Sequence, residues 1–184
     1  MKSSTRILIA VAAVAVVVGW WLYARQGTRT AEIDLVEQFP QADHRSNSQP
    51  AESAFEVGSV TIDGQTKRTI LAKPYARIIY SIDVPPDAWL ELSFAMRPDS
   101  WTLPGDGAQF RVGISDGRSY EEILRQYVNP KRGDRRWISA RLDLSAYEGR
   151  HVKLIFNTDP GAVAGASSEN DLAVWGDPHI YSKR

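Results

Sequence analysis

The sequence predicts an all-β fold, an antiparallel β-sandwich, preceded by one N-terminal transmembrane helix. Three observations predict it. Apolar and polar residues alternate in short runs from Phe55 onward, each run bounded by Gly, Pro or Asp turn residues. That is the period of strands with one buried and one wetted face, and no strand–helix alternation of a parallel sheet interrupts it. The segment from Trp137 to Phe156 holds two such runs with a turn between them. Ahead of the strands, Ile7 to Tyr23 is an uncharged apolar run, ILIAVAAVAVVVGWWLY; as a helix it reaches roughly 25 Å, near the short end of what crosses a bilayer.

Taken in order, residues 1–6 are expected to be a cytoplasmic tail and 7–23 a transmembrane signal anchor. Lys2 and Arg6 before the run favour a cytoplasmic N-terminus, against the weaker pull of Arg25 and Arg29 beyond it, and Trp20, Trp21 and Tyr23 gather at the distal end, where aromatic rings favour the headgroup layer. A cleaved leader is the alternative; no Ala-x-Ala site follows the run, and no cysteine is available for lipid attachment. Residues 24–30 then form a linker and 31–184 one extracytoplasmic domain, periplasmic or extracellular.

Within that domain Ile33 to Phe39 is expected to be the first strand, and Gln41 to Ser53 polar and structureless. Phe55 to Ile62 and Gln65 to Ala72 flank Asp63-Gly64, a hairpin dipeptide. Ile78, Tyr80, Ile82 and Val84 alternate up to Pro85-Pro86-Asp87, Leu90, Leu92, Phe94 and Met96 alternate after it, and Phe110, Val112 and Ile114 precede Asp116-Gly117. Tyr120, Ile123, Leu124, Tyr127 and Val128 fit a helical face better than a strand, and the pattern leaves the state of 120–128 open. In the most informative segment, Ile138, Ala140, Leu142 and Leu144 form one apolar face and Val152, Leu154 and Phe156 another. Ser145 and Glu148 stand at capping-box spacing and Gly149 supplies positive φ, so the two strands read as neighbours across a helical turn. Asp159 to Asn170 is small and polar, the composition of a mobile loop, and Leu172 to Tyr181 is the closing strand.

Composition limits the function classes. The chain has 184 residues, room for one ordinary domain, with 22 basic and 22 acidic residues, zero net formal charge and no cysteine. The charge balance leaves no electrostatic footprint for nucleic acid, and the missing thiols exclude disulfides, thiol catalysis and thiolate metal sites.

Leu142 to Phe156, followed by Leu172-Ala-Val-Trp-Gly-Asp-Pro178, resembles the second half of a galactose-binding-domain-like jelly roll, and Ala88 to Phe94 leading to Gly107 to Gly117 resembles its upstream part. The resemblance covers residues 31 to 181. It implies a binding or scaffolding module, with ligands that include sugars, membranes, proteins or a structural calcium ion, and often a role as accessory to an enzyme. The function expected here is a membrane-anchored module that recognises envelope glycans or assists a cell-envelope enzyme complex, and no catalysis is expected. A protein-docking domain without a carbohydrate site is the first alternative, and a serine hydrolase using Ser115 is the second. The membrane, through the N-terminal helix, and a glycan or an envelope protein are the expected partners.

Candidate sites lie in loops. Trp101, with Asp99, Asp106 and Arg111, has the residue types of a glycan site, since an indole stacks on sugar C–H faces while charged groups fix hydroxyls. The competing reading folds Trp101 back as a lid on the sandwich. Asp34, Glu169, Asp171 and Asp177 are oxygen ligands of the kind calcium takes, if the chain ends bring them together; otherwise they are solvated loop carboxylates. His44, His151 and His179 show no metal spacing. Gly113-Ile-Ser-Asp-Gly117 matches a nucleophile elbow, with Asp143 or Asp159 and then His179 following Ser115 in triad order, but that motif needs a parallel sheet, and a β-turn is the expected state.

Overall fold

The computed structural model describes residues 30–161 and 165–182, with side chains from Ile33 onward. The expected anchor at 7–23 and residues 24–29 of its linker lie outside the described residues, and Thr30, the last of the expected linker, already belongs to the first strand. The alternating runs form two antiparallel sheets packed face to face. The first comprises β1 (Thr30–Asp34), β3 (Phe55–Ile62), β4 (Gln65–Ala72), β6 (Ala88–Met96), β9 (Ile138–Asp143) and β11 (Ala173–Ser182). Its order is β3-β4-β11-β6-β9, with β1 also pairing with β11. The second sheet, β2 (Asp43–Ser46), β5 (Ala76–Asp83), β10 (His151–Pro160), β7 (Ala108–Ser115) and β8 (Tyr120–Val128), follows that order.

The inward members of each alternation make the core. Leu90, Leu92 and Phe94 of β6 and Trp175 and Ile180 of β11 meet Ile78, Tyr80 and Ile82 of β5, Phe110 and Val112 of β7, and Leu154 and Phe156 of β10. A smaller cluster of Val60, Ile62, Leu71, Ala95 and Val174 lies on the outer face of the six-stranded sheet, covered by Trp101, Trp137 and Leu172. Trp137 crosses that face above Gly176, where an added Cβ would come within 2.8 Å of the indole, and its Nε1 donates to the Gln65 carbonyl. Gly176 therefore belongs to the fit of the indole on the sheet.

Three expectations need correction, and the open state of 120–128 is decided. β1 ends at Asp34 and does not continue to Phe39, because the Asp34 carboxylate accepts the Val36 and Glu37 N–H groups and turns the chain. The polar 41–53 segment contains β2, whose Asp43 to Ser46 pair with Ile79 to Ala76. Tyr120 to Val128 is a strand with no helical turn. Val112 pairs with Leu124 and Gly113 with Glu122, so Ile123 is an extra residue, a β-bulge that shifts the alternation by one and imitates helical spacing.

The last correction concerns the segment from Trp137 to Phe156. β9 is the edge of one sheet and β10 the centre of the other, so their apolar faces meet across the core and the strands are not paired. The turn between them is a 3-10 turn over Ser145–Tyr147 without a capping box; the Asp143 carboxylate accepts the Ser145 N–H, while Gly149 has φ +69°. It crosses between sheets beside the β5–β6 connection. Leu144 donates to the Ala88 carbonyl, Gly149 to Val84 and Val84 to Arg150, so the two crossings satisfy each other's backbone.

Candidate functional site

The outward members of the five-stranded sheet are in register across all its strands. Arg45 of β2 faces Arg77 of β5, Arg77 faces Asn157 of β10, Asn157 faces Arg111 of β7, and Arg111 faces Arg125 of β8. Adjacent strands lie about 4.8 Å apart, so this row runs roughly 19 Å across the sheet. At its β2–β5 end is a cleft of about 280 Å³, lined by Arg45, Ser46, Asn47, Tyr75, Ala76, Arg77, Asn157 and Asp159. Tyr75 stands at the mouth, 47% exposed. The cleft joins one aromatic ring to amide, guanidinium and carboxylate groups, at a volume near the lower end of small-molecule sites.

Hydrogen bonds fix the polar groups. Arg77 Nε donates to Asn157 Oδ1 at 2.7 Å, and Arg111 donates through Nε to Asp159 Oδ2 at 2.8 Å and through Nη1 to Glu122 Oε2 at 3.2 Å. Arg125 donates to both Glu122 oxygens, and Arg45 to Asp43. The Arg125 bonds, with Arg111 beside them, hold the Glu122 carboxyl below its ordinary range against a modest upward push from burial. Asn157 is buried, so the group orienting Arg77 is itself held by packing.

The residues expected to form a glycan site are not brought together. Trp101 packs on the clusters of the six-stranded sheet and donates from Nε1 to the Met96 carbonyl at 2.8 Å, with the Arg135 guanidinium 5.8 Å from its ring; this is the lid arrangement. Asp99 pairs with Arg97. Arg111 lies on the opposite face of the sandwich, where its partner Asp159 lines the cleft. Asp106 belongs to a third place, at the end of the sandwich beside Asp171. Its main-chain carbonyl accepts bonds from the Tyr127 hydroxyl and the Asn129 amide, and its Oδ2 accepts the Ser167 N–H.

The four calcium candidates divide in the same way. Asp34 is bonded to Arg68, and Asp177 accepts the Arg68 N–H and lies 3.9 Å from Lys67 Nζ; both border a cleft shared with His179. Asp171 is buried at the other end of the sheet, bonded to Gly107 N–H, and the Glu169 N–H is taken by Ser167. Among the described residues no group of three or more His, Asp or Glu is arranged to hold a metal ion. These carboxylates do not offer calcium the several oxygens it needs in one place.

Ser115 ends β7 and its Oγ accepts the Gly117 N–H within a turn that the Asp116 carboxylate closes by accepting the Arg118 and Ser119 N–H groups. Those bonds bring the Asp116 carboxyl down to about 2. His179 lies on the other sheet, its Nδ1 against the Asp177 carbonyl. The motif is thus a strand–turn–strand junction, and its serine and histidine are on different sheets.

Sequence reasoning passed over Arg45, Tyr75, Arg77 and Asn157. A signal existed for Arg77, the wetted partner of the buried Ala76 and Ile78 in a clear alternation. The register that aligns it with Asn157 and Arg111 depends on strand order, which no local pattern carries.

No protein-family profile matches the chain. An uncharacterized protein of Archaeoglobus fulgidus is 39% identical over 106 residues, a match covering 56% of this chain and 26% of that protein. The chain thus spans about a quarter of the length of the relative it matches. Among solved structures it is similar to the CBM51 from Clostridium perfringens GH95 in complex with methyl-galactose, with TM-score 0.57 at 14% identity, covering 82% of this chain and 99% of that one. It is also similar to the structure of CBM51-2, in complex with GlcNAc, and INT domains from Clostridium perfringens ZmpB, with TM-score 0.53 at 13% identity, covering 77% of this chain and 29% of that one. The shared feature is the fold, a two-sheet antiparallel sandwich.

Proposed function

We propose that this chain is a glycan-binding module whose site is the cleft between Tyr75 and the Arg77–Asn157 pair. The observation that carries the reading is the composition of that cleft. An exposed aromatic ring stands over about 280 Å³ walled by oriented hydrogen-bonding groups, and a saccharide needs both an apolar platform for its C–H face and fixed partners for its hydroxyls. The fold agrees with it, because two modules of the same architecture were solved with methyl-galactose and with GlcNAc. Residues 7–23 act in this reading as an uncleaved anchor that holds the module at the outer side of a membrane. Mass spectrometry of the mature N-terminus tests the anchor, and a mature chain starting after Ala24 removes it.

Tyr75→Ala tests the site. The ring is half exposed, so its loss is expected to leave the thermal midpoint within about 2 °C, as surface changes of up to roughly 0.5 kcal/mol do. Binding to the saccharides that the parent retains on a glycan array is expected to fall about tenfold or more, the scale of a lost aromatic contact in a small site. Unchanged array binding by a folded Tyr75→Ala variant refutes the placement of the site. An empty array for the parent, with a stable protein partner recovered from membranes, favours a docking domain.

A further inference from the structure

We propose that the cleft selects saccharides bearing an oxyanion, a uronate carboxylate or a sulfate, and that Arg77 is the residue that reads it. The inference rests on the glycan-binding reading above and adds the class of sugar. Its basis is an imbalance in the transverse row. Arg45 is paired with Asp43, Arg111 with Asp159 and Glu122, and Arg125 with Glu122. Arg77 alone in the row has a neutral partner, Asn157, and among the described residues no carboxylate lies within ion-pair distance of it. Four guanidiniums thus face three carboxylates, and the surplus positive charge sits inside the cleft beside Tyr75.

The geometry matters as much as the charge. A solvated surface arginine samples many rotamers and loses that freedom when it binds. Here Asn157 Oδ1 accepts the Nε–H at 2.7 Å, and Asn157 is itself only 3% exposed, so a buried partner orients the guanidinium before any ligand arrives. Nη1 and Nη2 donate to nothing among the described residues. They form the end-on fork that matches two oxygens of a carboxylate or sulfate, a pairing stronger and more directional than a hydrogen bond to a hydroxyl. Tyr75 then stacks on the ring that carries the anion. Glu122 and Asp159 do not cancel this charge, since both are bonded to Arg111, two strands away from Arg77.

Calorimetric titration of the full-length chain in neutral detergent, with tetragalacturonate, its methyl ester and a sulfated galactan tetrasaccharide, tests the proposal. The parent is expected to bind at least one of the two acidic ligands about tenfold or more tighter than the neutral ester, with affinity that falls as salt rises. Binding of the uronate alone identifies a carboxylate site, and binding of the sulfated ligand alone a sulfate site; either supports the inference. Arg77→Gln is expected to remove the preference for the acidic ligand, weakening its binding about tenfold more than that of the ester, while Arg77→Lys, which keeps charge but not the fork, retains part of the preference. Arg77 is exposed, and unchanged circular dichroism and thermal midpoint serve as the folding control. Equal binding of acidic and neutral ligands, or a preference that survives Arg77→Gln, overturns the anion selectivity while the glycan site stands. If none of these ligands binds but array binding of neutral glycans is lost in Tyr75→Ala, the selectivity is again refuted and the site retained. If the parent binds no saccharide of any kind, both readings fall.

Discussion

Trp175→Ala is expected to destabilise the domain by about 3–5 kcal/mol, the range for truncating a large buried aromatic. Trp175 is fully buried, and its ring lies 4.9 Å from Phe110, 4.8 Å from Phe156 and 5.9 Å from Phe94. Phe94 and Trp175 come from the six-stranded sheet and Phe110 and Phe156 from the five-stranded one, so this cluster is where the two sheets are held together. The indole also donates to the Thr158 hydroxyl at 3.1 Å, and Thr158 has no exposure, so truncation leaves a cavity and an unpaired buried polar group at once. Trp175→Phe keeps most of the volume but loses the donor, and a cost of about 2 kcal/mol is expected. Urea titration of the full-length chain measures both. The midpoint should fall with little change in slope, since the same surface is exposed on unfolding. A Trp175→Ala loss under about 1 kcal/mol would mean that the sheets are joined elsewhere.

The same tryptophan shows what local sequence carries. Its partners Phe94, Phe110 and Phe156 lie in alternations that assign them to the buried face, whereas Ala173-Val-Trp175 is apolar without a break and Val174 and Trp175 are both buried; the hairpin at Asp63-Gly64 follows from turn chemistry alone. These are local properties, and the strands of the core were legible for that reason. The errors share a different cause. The bulge at Ile123 made a strand look helical, because one extra residue displaces the period on which the reading depends. β9 and β10 read as a pair in sequence because each has an apolar face and the turn is short, yet adjacent pairing and packing across the core leave the same local pattern. The candidate site suffers most from this limit. An aromatic in a polar loop points to Trp101, which packs back on its own sheet, while nothing local marks Tyr75, whose neighbours Asn157 and Asp159 lie some eighty residues away in the chain. Arg111 was singled out from its sequence neighbourhood and borders the cleft through Asp159, but its alignment with Arg77 exists only once β10 is placed between β5 and β7.

The Asp106–Asp171 pair at the end of the sandwich yields a pH effect of comparable size. Asp171 is 2% exposed; its Oδ1 accepts the Gly107 N–H at 3.1 Å, and its Oδ2 is buried without a partner, as is Asp106 Oδ1. Burial pushes the Asp171 carboxyl up to about 7, repulsion from Asp106 adds to the push, and the Gly107 bond and the Lys131 charge oppose it. In the unfolded chain the group titrates near 3.9. Between those values the folded protein keeps a proton that the unfolded chain has released, so the contribution to stability is fully present below pH 4 and is lost as pH rises through about 7. Three pKa units correspond to on the order of 4 kcal/mol as an upper bound. Asp116 runs the other way, its contribution being lost as pH falls toward 2, so the test belongs between pH 5.5 and about 8.5. Asp171→Asn keeps an oxygen for the Gly107 N–H and replaces the unpartnered oxygen with a donor beside Asp106. It is expected to be more stable than the parent across this range, with an advantage about 2 kcal/mol larger at pH 8.5 than at pH 5.5 and vanishing only below about pH 4. All three histidines are present in both proteins, so the difference between the two urea-derived profiles cancels their share. A difference that stays constant across this range would show that Asp171 is ionised throughout and that Lys131, whose Nζ lies 2.7 Å from the Gly105 carbonyl, compensates its charge.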